Sequence, residues 1–328
     1  MPKVLHIGPC ETPGGMAQVM RILAEHPPEG WEAELLSSHV VGTPWAKWRA
    51  YRRARASFSQ MLNDETRRPD IVHLHTAADW SWWRKRRFAK MAHKAGVPSI
   101  VHIHSGQFDT WLSSSQSRAI DFRNDIHSLS SKVVVLSESW RGILFELVGD
   151  TTVIQNPLEP TLQVNYEEVR DGGKVLFLGR NDPIKGGIFA QTLVRELQHE
   201  HPGLLLAMSG IETSEHSCVQ PLGWMTEEAK RREMSTASAL LVPSQFEGQP
   251  MVVLEALALG TPVLLSDRIH SLPDEIPRAK FEDLEDWKAN LLKILSSSKP
   301  IIDKTILLQY SLNTIQGQWK SCYDSLIN

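Results

Sequence analysis

Cysteine is scarce in this chain: Cys10, Cys218 and Cys322 are all that 328 residues contain. Three thiols without metal spacing cannot all pair, which excludes a disulfide scaffold or a zinc ribbon and fits a reducing cytoplasm. Long apolar runs are missing too. No stretch reaches the roughly 18 uncharged apolar residues of a membrane span, and "MPKVLHIG" reads directly into a strand rather than into a signal peptide. Charge of one sign does not dominate, with 35 Lys and Arg against 38 Asp and Glu, so no nucleic-acid partner is indicated. Short repeats and low-complexity tracts are absent. The G-x-G-x-x-G fingerprint is missing and "ELLSSHV" (34–40), at the end of the second strand, offers no ribose-binding acid. Both absences count against a nucleotide-cofactor oxidoreductase.

What remains is an ordinary globular composition, 41% hydrophobic and 22% charged, long enough for two cores. Short β-rich runs recur between longer amphipathic stretches: "KVLHIG" (3–8), "IVHLH" (71–75), "SIVHIH" (99–104) and "KVVVLS" (132–137). The alternation restarts at "KVLFLGR" (174–180) and continues through "GLLLAMSG", "ALLVPS" and "TPVLLSD". This predicts an α/β protein with two wound parallel sheets. The polar, turn-rich stretch 156–173 is the linker candidate.

Charge divides unevenly between the halves. Residues 1–150 carry 19 basic and 15 acidic side chains, net +4, which leaves −7 for the rest of a chain of net −3. The excess lies in "KWRAYRRARASF" (47–58) and "WSWWRKRRFAK" (80–90), where arginines alternate with aromatic rings. Such a mixture suits either a surface that docks at anionic headgroups or helices with aromatic residues turned into the core. Arg52, Arg53, Trp82, Trp83, Arg84 and Arg86 are the residues that the docking reading assigns to an acceptor or membrane surface.

In open parallel sheets ligands bind beyond the carboxyl ends of the strands, and several segments fall there. Gly14 and Gly15 stand in "GPCETPGGMAQ" (8–18) after the first strand, where glycines permit close approach to a helix N-terminus or make a plain tight turn. "GRNDPIKGG" (179–187) places Arg180 at a strand end and Lys185 at the next helix start. Two cations so placed could clamp a diphosphate or stand in a solvated loop. The H-x-H pairs His73/His75 and His102/His104 invite a zinc reading. No third ligand has that spacing, so they read as core or rim residues, with His104 assigned to the ligand side by its neighbours "SGQFD".

"PSQFEGQPMVVLEALALGTPV" (243–263) puts Glu247 in a loop, Gly248 in the turn that follows, and Glu255 one turn into a helix over Met251 to Leu259 that Gly260 ends. Free N–H groups at that helix start suit phosphate. The two acids could accept hydroxyl hydrogen bonds on either side of it, as a nucleotide sugar would require, or they could be a cap and a first-turn acid.

Taken in order, "GG" after the first strand, "HIHSG", "NP" (156–157), "LGRNDPIKGG", "LGW" (222–224) and the long segment with its two glutamates resemble the retaining glycosyltransferases of the GT-B fold, family 4. The resemblance implies two Rossmann-like domains facing each other across a cleft. An acceptor-binding domain would span 1–157 and a nucleotide-sugar domain 158–310, with a last helix, 311–328, crossing back to the first domain. It implies that Arg180 and Lys185 hold the diphosphate, that Glu247 contacts the donor sugar and Glu255 the ribose, and that Met251 and Val252 offer backbone N–H groups. His104 would touch the donor sugar, and Gly14, Gly15 and Gly248 would line the donor or acceptor.

No Asp-x-Asp triplet occurs, so the resemblance implies metal-independent transfer with no cofactor, in which the leaving phosphate helps to deprotonate the acceptor. The expected partners are a nucleotide-sugar donor, with uridine diphosphate favoured, a glycan or lipid-linked acceptor in surface-polysaccharide or glycoconjugate synthesis, and an anionic membrane surface on its cytoplasmic face. A sugar-nucleotide epimerase or phosphorylase on the same fold, and a non-catalytic partner subunit, are the competing readings.

Overall fold

A computed structural model describes residues 1–162, 170–297 and 304–327. Part of the linker candidate, residues 163–169, lies outside these. The chain divides into two compact units, one made of Met1–Pro157 with Gln309–Asn328 and the other of Leu158–Leu308.

The first unit is built on six strands: β1 (Lys3–Gly8), β2 (Glu32–Ser37), β3 (Ile71–Thr76), β4 (Ser99–Ile103), β5 (Lys132–Val135) and β6 (Thr152–Val153). Their order is β2-β1-β3-β4-β5-β6, all parallel. β3 and β4 are buried along their whole length, as strands covered by helices on both faces must be. Helix Pro44–Asn63 starts on Thr43, whose hydroxyl accepts from Ala46 N at 3.2 Å. It buries Tyr51, Ala54, Phe58 and Met61, spaced by three and four residues as one helix face requires. Helix Trp80–Lys94 buries Trp82, Phe88, Ala89 and Ala92, and with them Lys85.

The C-terminal helix Leu312–Ile327 packs within this same unit. Trp319 lies 4.4 Å from the His73 ring, Trp31 Nε1 donates to Asp324 at 2.9 Å, and Gln316 reaches the His26 carbonyl at 3.1 Å.

The second unit holds β7 (Asp171–Phe177), β8 (Leu205–Ser209), β9 (Val219–Gly223), β10 (Ala237–Val242), β11 (Val263–Ser266) and β12 (Arg278–Ala279). The order is β12-β11-β10-β7-β8-β9, again parallel throughout. Its core joins Val175, Leu206, Leu241 and Leu264 from the sheet to Leu193, Leu197 and Trp287 from the helices. Strand order reverses between β1 and β3 in one unit and between β7 and β10 in the other. These are the switch points at which open sheets form ligand crevices. No helix among the described residues is long and apolar enough to cross a membrane.

Candidate functional site

The loops that leave β7 and β10 meet at the switch point of the second sheet. After β7 the chain makes a single 3-10 turn, Pro183–Lys185, capped by Asp182, whose carboxylate accepts from Ile184 N at 3.1 Å. Gly186 follows at φ +74°, and a Cβ there would stand 2.6 Å from the Pro243 carbonyl oxygen. Only glycine satisfies both the left-handed backbone and that contact. The close approach sets the β7 loop directly on the β10 loop, where Gln245 N donates to Ile184 O at 2.9 Å.

Across this contact Lys185 Nζ meets Glu247 Oε1 at 2.7 Å, with side chains 25% and 13% exposed, and Ser244 Oγ donates to the same oxygen at 2.9 Å. The pair is partly shielded from water, so its attraction is stronger than that of a surface pair. Arg180 is exposed at the end of β7, and its side chain has no hydrogen-bond or ionic partner among the described residues. One cation is thus neutralised from within and the other is free for an anion.

Helix Met251–Ala258 begins after Pro250, and its first-turn N–H groups, those of Met251 and Val252 included, have no partner within the helix. Gly248 is buried in the turn before it, and Gln249 donates to Ser271 O at 3.3 Å. Glu255 is only 2% exposed. Its carboxylate is gripped by Lys230, with Nζ 3.2 Å from Oε1 and 3.0 Å from Oε2, and Lys230 also holds Glu227 at 2.5 Å. Burial disfavours the Lys230 charge, but the two carboxylates outweigh it and hold its pKa above the ordinary lysine value. Sequence reasoning missed Lys230 and Ser244, for neither stands in a run that separates it from solvated neighbours. The three-residue spacing of Glu227 and Lys230 signals only a helical pair.

In the first unit Gly14, at φ +126°, caps helix Gly15–Glu25 beyond the end of β1. Beside it the strands carry a layer of histidines. Register places His6 opposite His73 and His75 opposite His102, so with His104 five imidazoles share one face of the sheet. His6 Nδ1 lies 2.9 Å from His75 Nε2, His75 Nδ1 lies 2.9 Å from His104 Nε2, and His73 Nε2 lies 3.1 Å from His102 Nδ1. His73 Nδ1 stands 3.0 Å from the Tyr323 hydroxyl. Burial holds all five pKa values below the ordinary 6.5, that of His6 down to about 3, so the layer is neutral near pH 7.

His6 supplies the third imidazole that no local spacing revealed. Two triads, His6/His73/His75 and His75/His102/His104, bring ring nitrogens within 4.8 Å of one another. The lone pairs of imidazole nitrogens lie in the ring plane, however, and the His73 and His75 rings stack at 15°, those of His75 and His104 at 24°. Stacked rings aim their lone pairs along separate planes, and both His75 nitrogens, which each triad would need, are already engaged with His6 and His104.

The expected docking residues separate. Trp82 is 2% exposed and packs edge-on against Phe122 at 4.6 Å, which corrects its assignment to a surface. It falls in the buried stripe of its helix with Phe88. Arg84 is half-buried with Nη1 3.4 Å from His39 Nδ1, and Arg86 is ion-paired with Asp125, so neither is a free surface cation. Arg52, Arg53 and Trp83 are exposed. Trp45, which sequence reasoning missed, stacks on Trp48 at 4.7 Å, and the Arg52 guanidinium lies 4.8 Å over the Trp48 ring.

Residues 6–157 match the family described as Glycosyl transferase 4-like domain, and residues 172–297 match the family described as Glycosyl transferases group 1. The chain belongs to the group 1 glycosyltransferases. A glycogen synthase of Mycobacterium tuberculosis is 25% identical over 244 residues, covering 66% of this chain and 56% of that protein. The chain therefore spans little more than half the length of this curated relative. Among solved structures, a sucrose-phosphate synthase from Thermosynechococcus elongatus superposes with a TM-score of 0.76 at 17% identity, covering 99% of each chain. Anabaena HepE, solved with UDP and glucose, gives a TM-score of 0.70 at 14% identity over 99% of this chain and 100% of that one. These neighbours show the GT-B fold for this group 1 chain.

Proposed function

We propose that this group 1 glycosyltransferase moves a sugar from a nucleotide-sugar donor to a glycan or lipid-linked acceptor, with retention of anomeric configuration and without a metal ion. The observation that carries this reading is the Lys185–Glu247 ion pair at the switch point of the second sheet, with Arg180 exposed and unpartnered earlier on the same loop. Departure of the sugar leaves charge on the diphosphate, and two cations carried on one loop beside a helix N-terminus stabilise it. Arg180 and Lys185 take the diphosphate, and Lys185 exchanges Glu247 for a phosphate oxygen as the donor enters. Glu247, released, accepts from a donor-sugar hydroxyl, while Glu255, held by Lys230, accepts from the ribose. As the bond between the anomeric carbon and the diphosphate oxygen breaks, the acceptor oxygen bonds that carbon from the same face and its proton passes to the leaving phosphate oxygen. His104 offers a hydrogen bond to a substrate oxygen at the end of β4. A uridine nucleotide is the favoured donor, in keeping with HepE, which was solved with UDP.

A thermal-stability screen of nucleotide sugars tests the reading, since a ligand at 100 times its dissociation constant adds about 2.7 kcal/mol. We expect stabilisation by one nucleotide class, lost in Arg180→Ala; stabilisation by none, or equal stabilisation of that variant, overturns it. Turnover of the donor without any acceptor would assign an epimerase instead. For the acceptor, the exposed Trp45–Trp48 stack with Arg49, Arg52 and Arg53 favours docking at an anionic lipid surface. Sedimentation with anionic vesicles at low salt, released as salt rises, is expected. Unchanged binding after Trp45, Trp48, Arg52 and Arg53 are all replaced by Gln refutes that surface.

A further inference from the structure

The histidine layer of the first unit contains a line of three rings, His6, His75 and His104, joined by two N···N hydrogen bonds of 2.9 Å. A neutral imidazole has one N–H and one bare nitrogen, so the direction of one bond in such a line fixes the direction of the other. Two directions are possible. In the first, His6 Nδ1–H donates to His75 Nε2 and His75 Nδ1–H donates to His104 Nε2, leaving the His104 proton on Nδ1. In the second, every proton is reversed and His104 is bare at Nδ1.

The far end of the line decides between them. His6 Nε2 is buried and has no hydrogen-bond partner among the described residues. The first direction leaves a bare lone pair there; the second buries an orphaned N–H. Orphaned buried donors are rarer than under-satisfied acceptors because they forfeit their whole hydrogen bond. The neighbouring pair gives a useful contrast. His102 Nε2 is also unpartnered, but the His73 end meets the Tyr323 hydroxyl, which can donate or accept and so fixes nothing. At the open end of the first line, His104 is part-exposed and its Nδ1 has no partner among the described residues.

We propose that His6 and His75 are positioning residues that lock His104 into the tautomer protonated on Nδ1, so that its ring presents a fixed hydrogen-bond donor to a substrate oxygen. The substrate part rests on the function proposed above; the tautomer does not. A fixed donor recognises hydroxyl or phosphate oxygens, and it cannot act as a general base through Nδ1. The line also keeps the ring orientation set before substrate arrives, which lowers the ordering cost of the contact. His104 itself touches the substrate, while His75 acts through it and His6 through His75.

The test uses the full chain labelled with nitrogen-15 at histidine, with resonances assigned by loss of the His104 signals in His104→Gln. Long-range proton–nitrogen correlation should show a pyrrole-like Nδ1 and a pyridine-like Nε2 for His104, unchanged from pH 8 to 5.5. Protonation at Nε2, interconverting tautomers, or titration near the ordinary value of 6.5 would overturn the proposal. In His75→Leu the two tautomers should mix, and kcat/KM should fall about three- to tenfold, the range of one neutral hydrogen bond. His75→Gln, whose amide N–H can donate to His104 Nε2, should restore the single tautomer and most of the rate. A role confined to packing would shift the melting temperature of both variants and leave the tautomer of His104 intact. Absence of any sugar transfer would defeat the proposed function while the spectrum still judged the tautomer, and an Nε2-protonated His104 in an active enzyme would defeat the tautomer alone.

Discussion

Lys85 should be an expensive residue at neutral pH, and replacing it should make the protein more stable. It lies in the buried stripe of helix Trp80–Lys94, 1% exposed, and its ammonium makes one hydrogen bond, to Ser38 Oγ at 3.0 Å. No carboxylate pairs with it among the described residues. Burial lowers its pKa from 10.5 to about 7, with the Arg84 charge adding to the effect.

Between those two values the unfolded chain holds the proton and the folded chain does not, so stability rises with pH across this window. Below about pH 7 both states are protonated and the whole penalty is present, about 5 kcal/mol at about 1.4 kcal/mol per pH unit. Lys85→Met keeps the length of the side chain and discards the charge. It also loses the hydrogen bond to Ser38, at a cost of about 1 kcal/mol. The variant should therefore be more stable than the parent by about 4 kcal/mol at pH 6, and the advantage should vanish toward pH 10. Urea unfolding followed by tryptophan fluorescence reports on this unit, because every tryptophan except Trp224 and Trp287 lies in it. Subtracting the parent curve from the variant curve cancels the titrating groups that do not interact with Lys85; Cys10 and His39 do interact with it. A difference that stays flat between pH 6 and pH 10, or that grows with pH, refutes the reasoning.

The second unit supports three further predictions. Arg180→Ala and Lys185→Ala should each cost about two to three orders of magnitude in turnover, as loss of one preorganised charge contact does, and near-parental rates in both would remove them from the donor site. Lys230→Met should weaken donor affinity more than it lowers kcat, because it frees the Glu255 carboxylate from its fixed orientation; Lys230→Arg should recover part of that affinity, and equal loss in both kinetic constants would contradict the role. Gly186→Ala should destabilise the second unit by more than about 1 kcal/mol, given φ +74° and the Pro243 carbonyl 2.6 Å from the added carbon, a shift readable by calorimetry.

The buried strands were legible as short β-rich runs between amphipathic stretches: "IVHLH" and "SIVHIH" stand as β3 and β4, aliphatic on one face and carrying histidines on the other. The short strands β6, β9 and β12 were not, for each closes an edge of its sheet and carries too few apolar residues to make a run. At the site, Arg180, Lys185, Glu247 and Glu255 were visible as charges beside turn glycines. Their partners were not. Lys230 lies 25 residues from Glu255, and His6 lies 69 residues from His75, so only the sheet order brings them together. The aromatic stretch divides for a reason that sequence shows only in part. Trp82 and Trp83 are adjacent, and one position on a helix turns a side chain by about 100°, enough to carry Trp82 into the core and leave Trp83 37% exposed.

Trp319 and Tyr323, which cover the histidine layer and reach His73, emerge from the ribosome only after all of Leu158–Leu308 has been made. During synthesis β1, β3 and β4 are therefore complete while the polar face they share still lacks its lid. In that interval His73 and His102 lack the Trp319 ring that packs against both of them. The strands of the first unit precede the whole second unit along the chain and helix Leu312–Ile327 follows it, so that helix is the element whose synthesis completes this side of the ring layer. A slowed or interrupted chain would hold His73 and His102 without the rings that pack on them, and that nascent state, rather than the finished protein, is where stray metal ions would find ligands free to turn toward them.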